Sequence, residues 1–171
     1  MVLEDSNAGR DLMLRLSGIE PESIVDGPGI RYVVFVQGCP HHCRGCHNPQ
    51  THDFEGGYME SQEKLLEEIK ENPLLTGVTF SGGEPFCQAE ALAQLGKKVK
   101  AMGKHLIVYS GYTLEQLLEK GRAEKGVMDL LKTADVLVDG PFVEKLKDLD
   151  LRFRGSSNQR YIELKDIWDN R

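Results

Sequence analysis

At 171 residues, with 40% hydrophobic and 28% charged side chains, the chain has the makeup of one soluble globular domain with a real core. Its net charge of −6 argues against nucleic acid as the main partner, since phosphate binding wants a basic surface. No stretch approaches the roughly 18 apolar residues that a membrane span needs, and the polar start MVLEDSNAGRD has no apolar signal core, so a cytoplasmic protein is expected.

Leu12, Leu14 and Leu16 alternate as in a strand with one buried face. Tyr32 to Val36 is continuously apolar, the pattern of a strand buried on both faces of a parallel sheet. Between Ser61 and Pro73, Leu65, Leu66 and Ile69 fall at helical spacing, with the proline as the stop. Gly77 to Phe80 predicts a strand. Leu92, Leu95, Val99 and Met102 mark one face of a helix that Gly103 ends. His105 to Tyr109 is again strand-like, and Thr113 with Gln116 forms a capping box that opens a helix. Val127, Leu130 and Leu131 predict one more helix, followed by strands at Val136–Val138 and Tyr161–Leu164. Strands alternating with helices define an α/β fold around a mostly parallel sheet, and no repeat or linker divides the chain.

Four strands run into glycine-bearing corners: VQGCP, FSGGEP, YSGYT and VDGPF. Binding sites of parallel α/β folds gather at the carboxyl ends of strands. The cysteine loop and the SGGEP loop should therefore lie close together, although turns favour Gly and Pro in any case.

Residues 38–52 read GCPHHCRGCHNPQTH, so three of the four cysteines lie within eight residues. Such bunching points to metal or redox chemistry more than to a disulfide scaffold. Cys39, Cys43 and Cys46 are spaced Cys-x-x-x-Cys-x-x-Cys, without the second paired knuckle of a structural zinc site. Cubane clusters are usually held by four thiolates. Three without an obvious fourth suggest a 4Fe-4S cluster with one iron open to a ligand. His41, His42, His47 or Cys87 could complete a closed set, but a solvated loop is the simpler reading for His41 and His42, and a small buried hydrophobe beside Phe86 for Cys87.

The cysteine loop followed by His47-Asn48, together with Asp26-Gly27-Pro28-Gly29-Ile30-Arg31, resembles the radical S-adenosylmethionine (SAM) superfamily and, within it, the glycyl-radical-enzyme activases. The tail Arg152-Phe153-Arg154-Gly155-Ser156-Ser157-Asn158-Gln159-Arg160 and the segment Asp135 to Phe142 are similar to the activating proteins of anaerobic (class III) ribonucleoside-triphosphate reductases. Pyruvate formate-lyase activases are longer and continue their loop to Thr-Trp, where this chain has Thr51-His52.

The resemblance implies a partial (β/α)6-type TIM-like barrel in a single domain over 1–171, with its core at about 12–164 and a family-specific segment at 152–160. It implies that Cys39, Cys43 and Cys46 hold the cluster, with SAM chelating the fourth iron. Ser81-Gly82-Gly83-Glu84-Pro85 matches the family's Gly-Gly-Glu motif, so Gly82, Gly83 and Glu84 are expected to position SAM. Gly45, Cys46 and His47 are expected to pack against it; Gly45 stands where many members carry an aromatic residue, and His47 is the substitute.

The implied reaction takes one electron from a low-potential donor such as flavodoxin or ferredoxin. It splits SAM to methionine and a 5′-deoxyadenosyl radical, which removes a hydrogen from a glycine of the reductase. No catalytic side chain is implied, because the cofactors carry the chemistry. Arg152, Arg154 and Arg160 are candidates for partner contact, the alternative being an exposed turn with scattered charge. From outside the family, a small-substrate radical SAM enzyme like the 7-deazaguanine synthases and a zinc-binding adaptor are the competing readings; neither gives the tail a role.

Overall fold

The computed structural model describes residues 11–170; the polar stretch at 1–10 lies outside them. Seven strands form one sheet in the order β3-β1-β2-β4-β5-β6-β7. They are β1 (Leu14–Ser23), β2 (Arg31–Val36), β3 (Tyr58–Glu60), β4 (Gly77–Gly82), β5 (His105–Tyr109), β6 (Val136–Asp139) and β7 (Arg160–Glu163). The helices are α1 (Gln62–Glu71), α2 (Ala89–Ala101), α3 (Leu114–Ala123), α4 (Lys125–Thr133) and α5 (Leu164–Asp169). Four of the seven strands, β2, β4, β5 and β6, are mutually parallel, while β1, β3 and β7 pair antiparallel at the margins.

The parallel strands succeed one another across the sheet in chain order. Right-handed crossovers then place every connecting helix on the same face. The core agrees: Tyr32, Val34, Val36, Val78, Phe80, Leu106, Val108 and Leu137 pack in one cluster with Leu65, Ile69, Leu92, Leu95, Leu117, Val127 and Leu131 of α1 to α4. The alternate strand residues Ile107, Val136 and Val138 turn to the opposite face and cluster with Tyr109 and Tyr161. Helices outside and a lined inner face are the arrangement of the expected partial barrel.

Local signals act as the sequence indicates. Ser61 caps α1 by accepting from Lys64 N. Thr113 and Gln116 complete both bonds of the capping box on α3. Gly103 ends α2 with φ +76°. Two elements had no sequence signal, since β3 has three residues and α5 six, too short to show a period. Leu12 falls just outside β1, its N–H donating to Gln94 Oε1 at 2.9 Å. No helix among the described residues is long and apolar enough to cross a membrane.

Candidate active site

The cysteine loop leaves the carboxyl end of β2 and returns against its own base. Gly38 N donates to Thr51 O at 2.7 Å, Cys39 N to His52 O at 3.2 Å, and Gln37 Nε2 to Asp53 O at 2.7 Å. Within the loop, Cys46 N donates to Cys43 O. Cys39 is buried, and Cys43 and Cys46 are half-buried. Burial pushes the Cys39 thiol up, and hydrogen bonds from the His41 and His42 backbones pull the other way. Asn48 N points at Cys46 Sγ at 3.4 Å. Backbone N–H groups aimed at sulfur suit thiolates that carry charge to a metal.

All three cysteines line a cavity of about 130 Å³, with Ser81, Gly82 and Gly83 from the end of β4, Ser110 and Gly111 from β5, and Gly140 and Phe142 from β6. The four glycine-bearing corners thus share one rim. Their closeness demands glycine: a Cβ on Gly83 would lie 2.3 Å from Gly38 O, and one on Gly82 would lie 2.6 Å from Val36 N with φ at +94°. The donor set is three sulfurs facing a hollow, and among the described residues no group of three His, Cys, Asp or Glu side chains closes round a single ion. Three thiols, two of them reached by backbone N–H groups, fit a cluster bound from one side.

A second cavity of about 380 Å³ adjoins the first. Cys46, Ser81, Tyr109, Phe142 and Gln159 line both. Its remaining wall includes Asp26, His47 and Arg154, and Val25 at its edge is strongly exposed. His47 packs edge-on against Phe142, with centroids 5.1 Å apart.

The structure therefore brings together most of the expected residues. Cys39, Cys43, Cys46, Gly82 and Gly83 meet in the first cavity, and His47 stands with Cys46 in the second. Gly45 and Glu84 line neither. Gly45 turns the loop with φ +75° beside Glu144, and Glu84 is wholly buried behind the rim. His41 is not the solvated residue its loop suggests: its Nε2 lies 2.6 Å from Glu84 Oε1, while His42 is exposed. Cys87 is exposed, on the wall of a separate groove with Leu12 and Met13, and is neither a buried hydrophobe nor part of the cysteine cavity.

The tail is tightly bonded against the β6 corner. The Gln159 side chain accepts from Gly155 N and Ser156 N and donates to Gly140 O. Asn158 Nδ2 donates to Pro141 O at 2.8 Å. Arg160 forks onto the buried Asp139 (Nε–Oδ1 3.0 Å) and onto Glu115 (Nη2–Oε2 2.7 Å), so its guanidinium is a half-exposed clamp already shared by two carboxylates of this chain. Arg152 is exposed and Arg154 faces the second cavity. Sequence reasoning missed Tyr109, Ser110, Gly140, Phe142 and Gln159 as site residues. The first four belong to the glycine-bearing strand ends, a usable signal; Gln159 had none outside the tail motif.

Comparison with known proteins places the chain in a family. A family model described as a 4Fe-4S single cluster domain matches residues 25–162, which run from before β2 into β7 and include every residue of both cavities. The anaerobic ribonucleoside-triphosphate reductase-activating protein of Vibrio cholerae is 37% identical over 81% of this chain and 91% of its own. Its counterpart in Escherichia coli K12 is 36% identical over 81% and 92%. That of enterobacteria phage T4 is 32% identical over 89% and 92%. The chain belongs to this family of activating proteins and itself matches the 4Fe-4S single cluster domain. Among solved structures, QueE from Escherichia coli aligns with a TM-score of 0.49 and 18% identity over 64% of this chain and 58% of that one.

Proposed function

We propose that this protein is a radical SAM activase that installs a glycyl radical on an anaerobic ribonucleoside-triphosphate reductase. The observation that carries the reading is the shared cavity: three thiols from one loop face the Gly82–Gly83 corner, in a chain of the activating-protein family. Cys39, Cys43 and Cys46 would hold a 4Fe-4S cluster, leaving one iron for SAM. The chemistry that the cluster and SAM would supply there is one-electron reductive cleavage of SAM, the electron coming from a flavodoxin- or ferredoxin-type donor, coupled to removal of one hydrogen atom from a glycine Cα of the reductase.

The chain's own residues bind and shield. The Ser81–Gly83 backbone lets SAM approach closely, and Phe142 with Tyr109 walls the passage between the cavities. The second cavity, half-open and edged by Val25, gives the reductase segment a route to the rim. Four free thiols and an oxygen-sensitive centre suit a reducing cytoplasm.

The test is anaerobic reconstitution with iron and sulfide, then EPR with and without SAM. A cubane signal that changes with SAM, release of 5′-deoxyadenosine and a glycyl radical on added reductase are expected. A single tightly held zinc with no iron uptake would sink the reading.

A further inference from the structure

We infer that Glu84 is the bracket of the cluster loop and not a ligand of SAM, and that His41 is the residue through which it acts. The inference rests on the reading of the cavity given above. The Glu84 carboxylate is fully buried and lines neither cavity. Its two oxygens meet four donors: His41 Nε2 at 2.6 Å, Gly111 N at 2.8 Å, Phe86 N at 3.0 Å, and Ser110 Oγ at 2.9 Å from each oxygen. An ionised carboxylate accepts at about four lone-pair sites. None is left for the ammonium of SAM, and since the carboxylate only accepts, His41 Nε2 carries the shared proton.

The donors come from separate parts of the chain. His41 stands midway between Cys39 and Cys43, Ser110 and Gly111 come directly after β5, and Phe86 lies just past the SGGE corner. One carboxylate therefore ties the cysteine loop to two neighbouring strand ends. Glu84 N also donates to Gly38 O at 2.8 Å, just before Cys39. The partners are shaped for this contact: a Cβ on Gly111 would lie 2.5 Å from the His41 ring, whose edge packs on Tyr112 at 4.5 Å. The Ser81–Gly83 backbone, which does line the cavity, is the part of this corner that faces the ligand. His41 and Glu84 are positioning residues that preform the loop before the cluster arrives.

The test compares wild type with His41→Ala, His41→Gln and Glu84→Gln, kept anaerobic. In cluster-free protein, His41→Ala should speed hydrogen exchange over residues 38–52 by about tenfold, the loss expected for one charge-assisted bond. Iron per chain should fall in parallel after reconstitution. SAM affinity of the clusters that form in Glu84→Gln, whose side chain lines neither cavity, should stay within about twofold of wild type, read from the EPR change. His41→Gln, whose amide N–H can reach the carboxylate, should restore exchange and iron together.

Wild-type exchange and iron in His41→Ala would overturn the inference. So would Glu84→Gln weakening SAM by about tenfold or more at unchanged iron, the mark of a direct ligand. Should wild type itself take up no cubane, the proposed function falls, and the exchange measurement still decides the bracket.

Discussion

The two ends of the parallel strands each bury a charged side chain, and they put it to different use. At the amino-terminal end, Arg31 is 1% exposed and spends its guanidinium on Thr79 Oγ1 (2.8 Å), Val78 O (2.8 Å), His105 O (3.2 Å) and Pro28 O (3.2 Å). At the carboxyl-terminal end, Glu84 gathers donors from three loops. Both charges are met by neutral dipoles, with His41 the one titratable partner. Arg31, however, binds the starts of strands already aligned in the sheet, so that end is plugged. Glu84 binds the loops beyond the strand ends, and its bonds fix those loops to one another behind the hollow that they line. A buried charge costs much unless every hydrogen bond is made; the same rule seals one rim and fixes the loops of the other.

Four substitutions break or sharpen this contrast, in falling order of effect. Cys46→Ala, at the wall shared by both cavities, should abolish the cubane signal. It should cut 5′-deoxyadenosine formation well beyond the roughly 10–100-fold cost of losing an outer-shell partner, while urea melts of the cluster-free protein barely move. Arg31→Met should do the reverse. Stripping the acceptors at the plugged end should cost about 3–5 kcal/mol in a urea melt, and the fraction that folds should still bind iron at the wild-type ratio.

Arg160→Ala removes the clamp between the tail, the buried Asp139 and Glu115. Because half of Arg160 meets water, a loss of about 2 kcal/mol at pH 7 is expected. The hydrogen bond from Arg160 holds the Glu115 carboxyl below its ordinary range. A depressed carboxyl pKa contributes stability that is present above the unfolded value and lost as pH falls through the folded one. The gap between wild type and Arg160→Ala should therefore narrow between about pH 5 and pH 3, which urea melts across that window would check. Cys87→Ser, on its separate groove, should leave iron content and the EPR spectrum unchanged; a lost or altered cubane would make it a fourth ligand.

Much of the frame was legible along the chain. The apolar run Tyr32–Val36, the helical face Leu92–Leu95–Val99 and the capping box at Thr113 are local patterns whose meaning needs no distant partner, because side-chain period and hydrogen-bond reach are set within a few residues. The Cys39–Cys43–Cys46 spacing is equally local. So the sequence by itself determined the α/β class, the elements that carry the site and the loop that offers the thiols.

Tertiary structure alone decided what distant residues do to one another. The family motif draws Glu84 toward SAM, but its four donors come from residues 41, 86, 110 and 111, and only the parallel register of β2, β4 and β5 brings them together. Arg160 looked free because Asp139 and Glu115 lie 21 and 45 residues away. Cys87 looked buried because Phe86 beside it is, yet successive residues point apart and the turn into α2 leaves its side facing solvent. Spacing along a chain reports which groups are available; whether a carboxylate or guanidinium is still free depends on donors and acceptors supplied from elsewhere, and those are set only when the strands align.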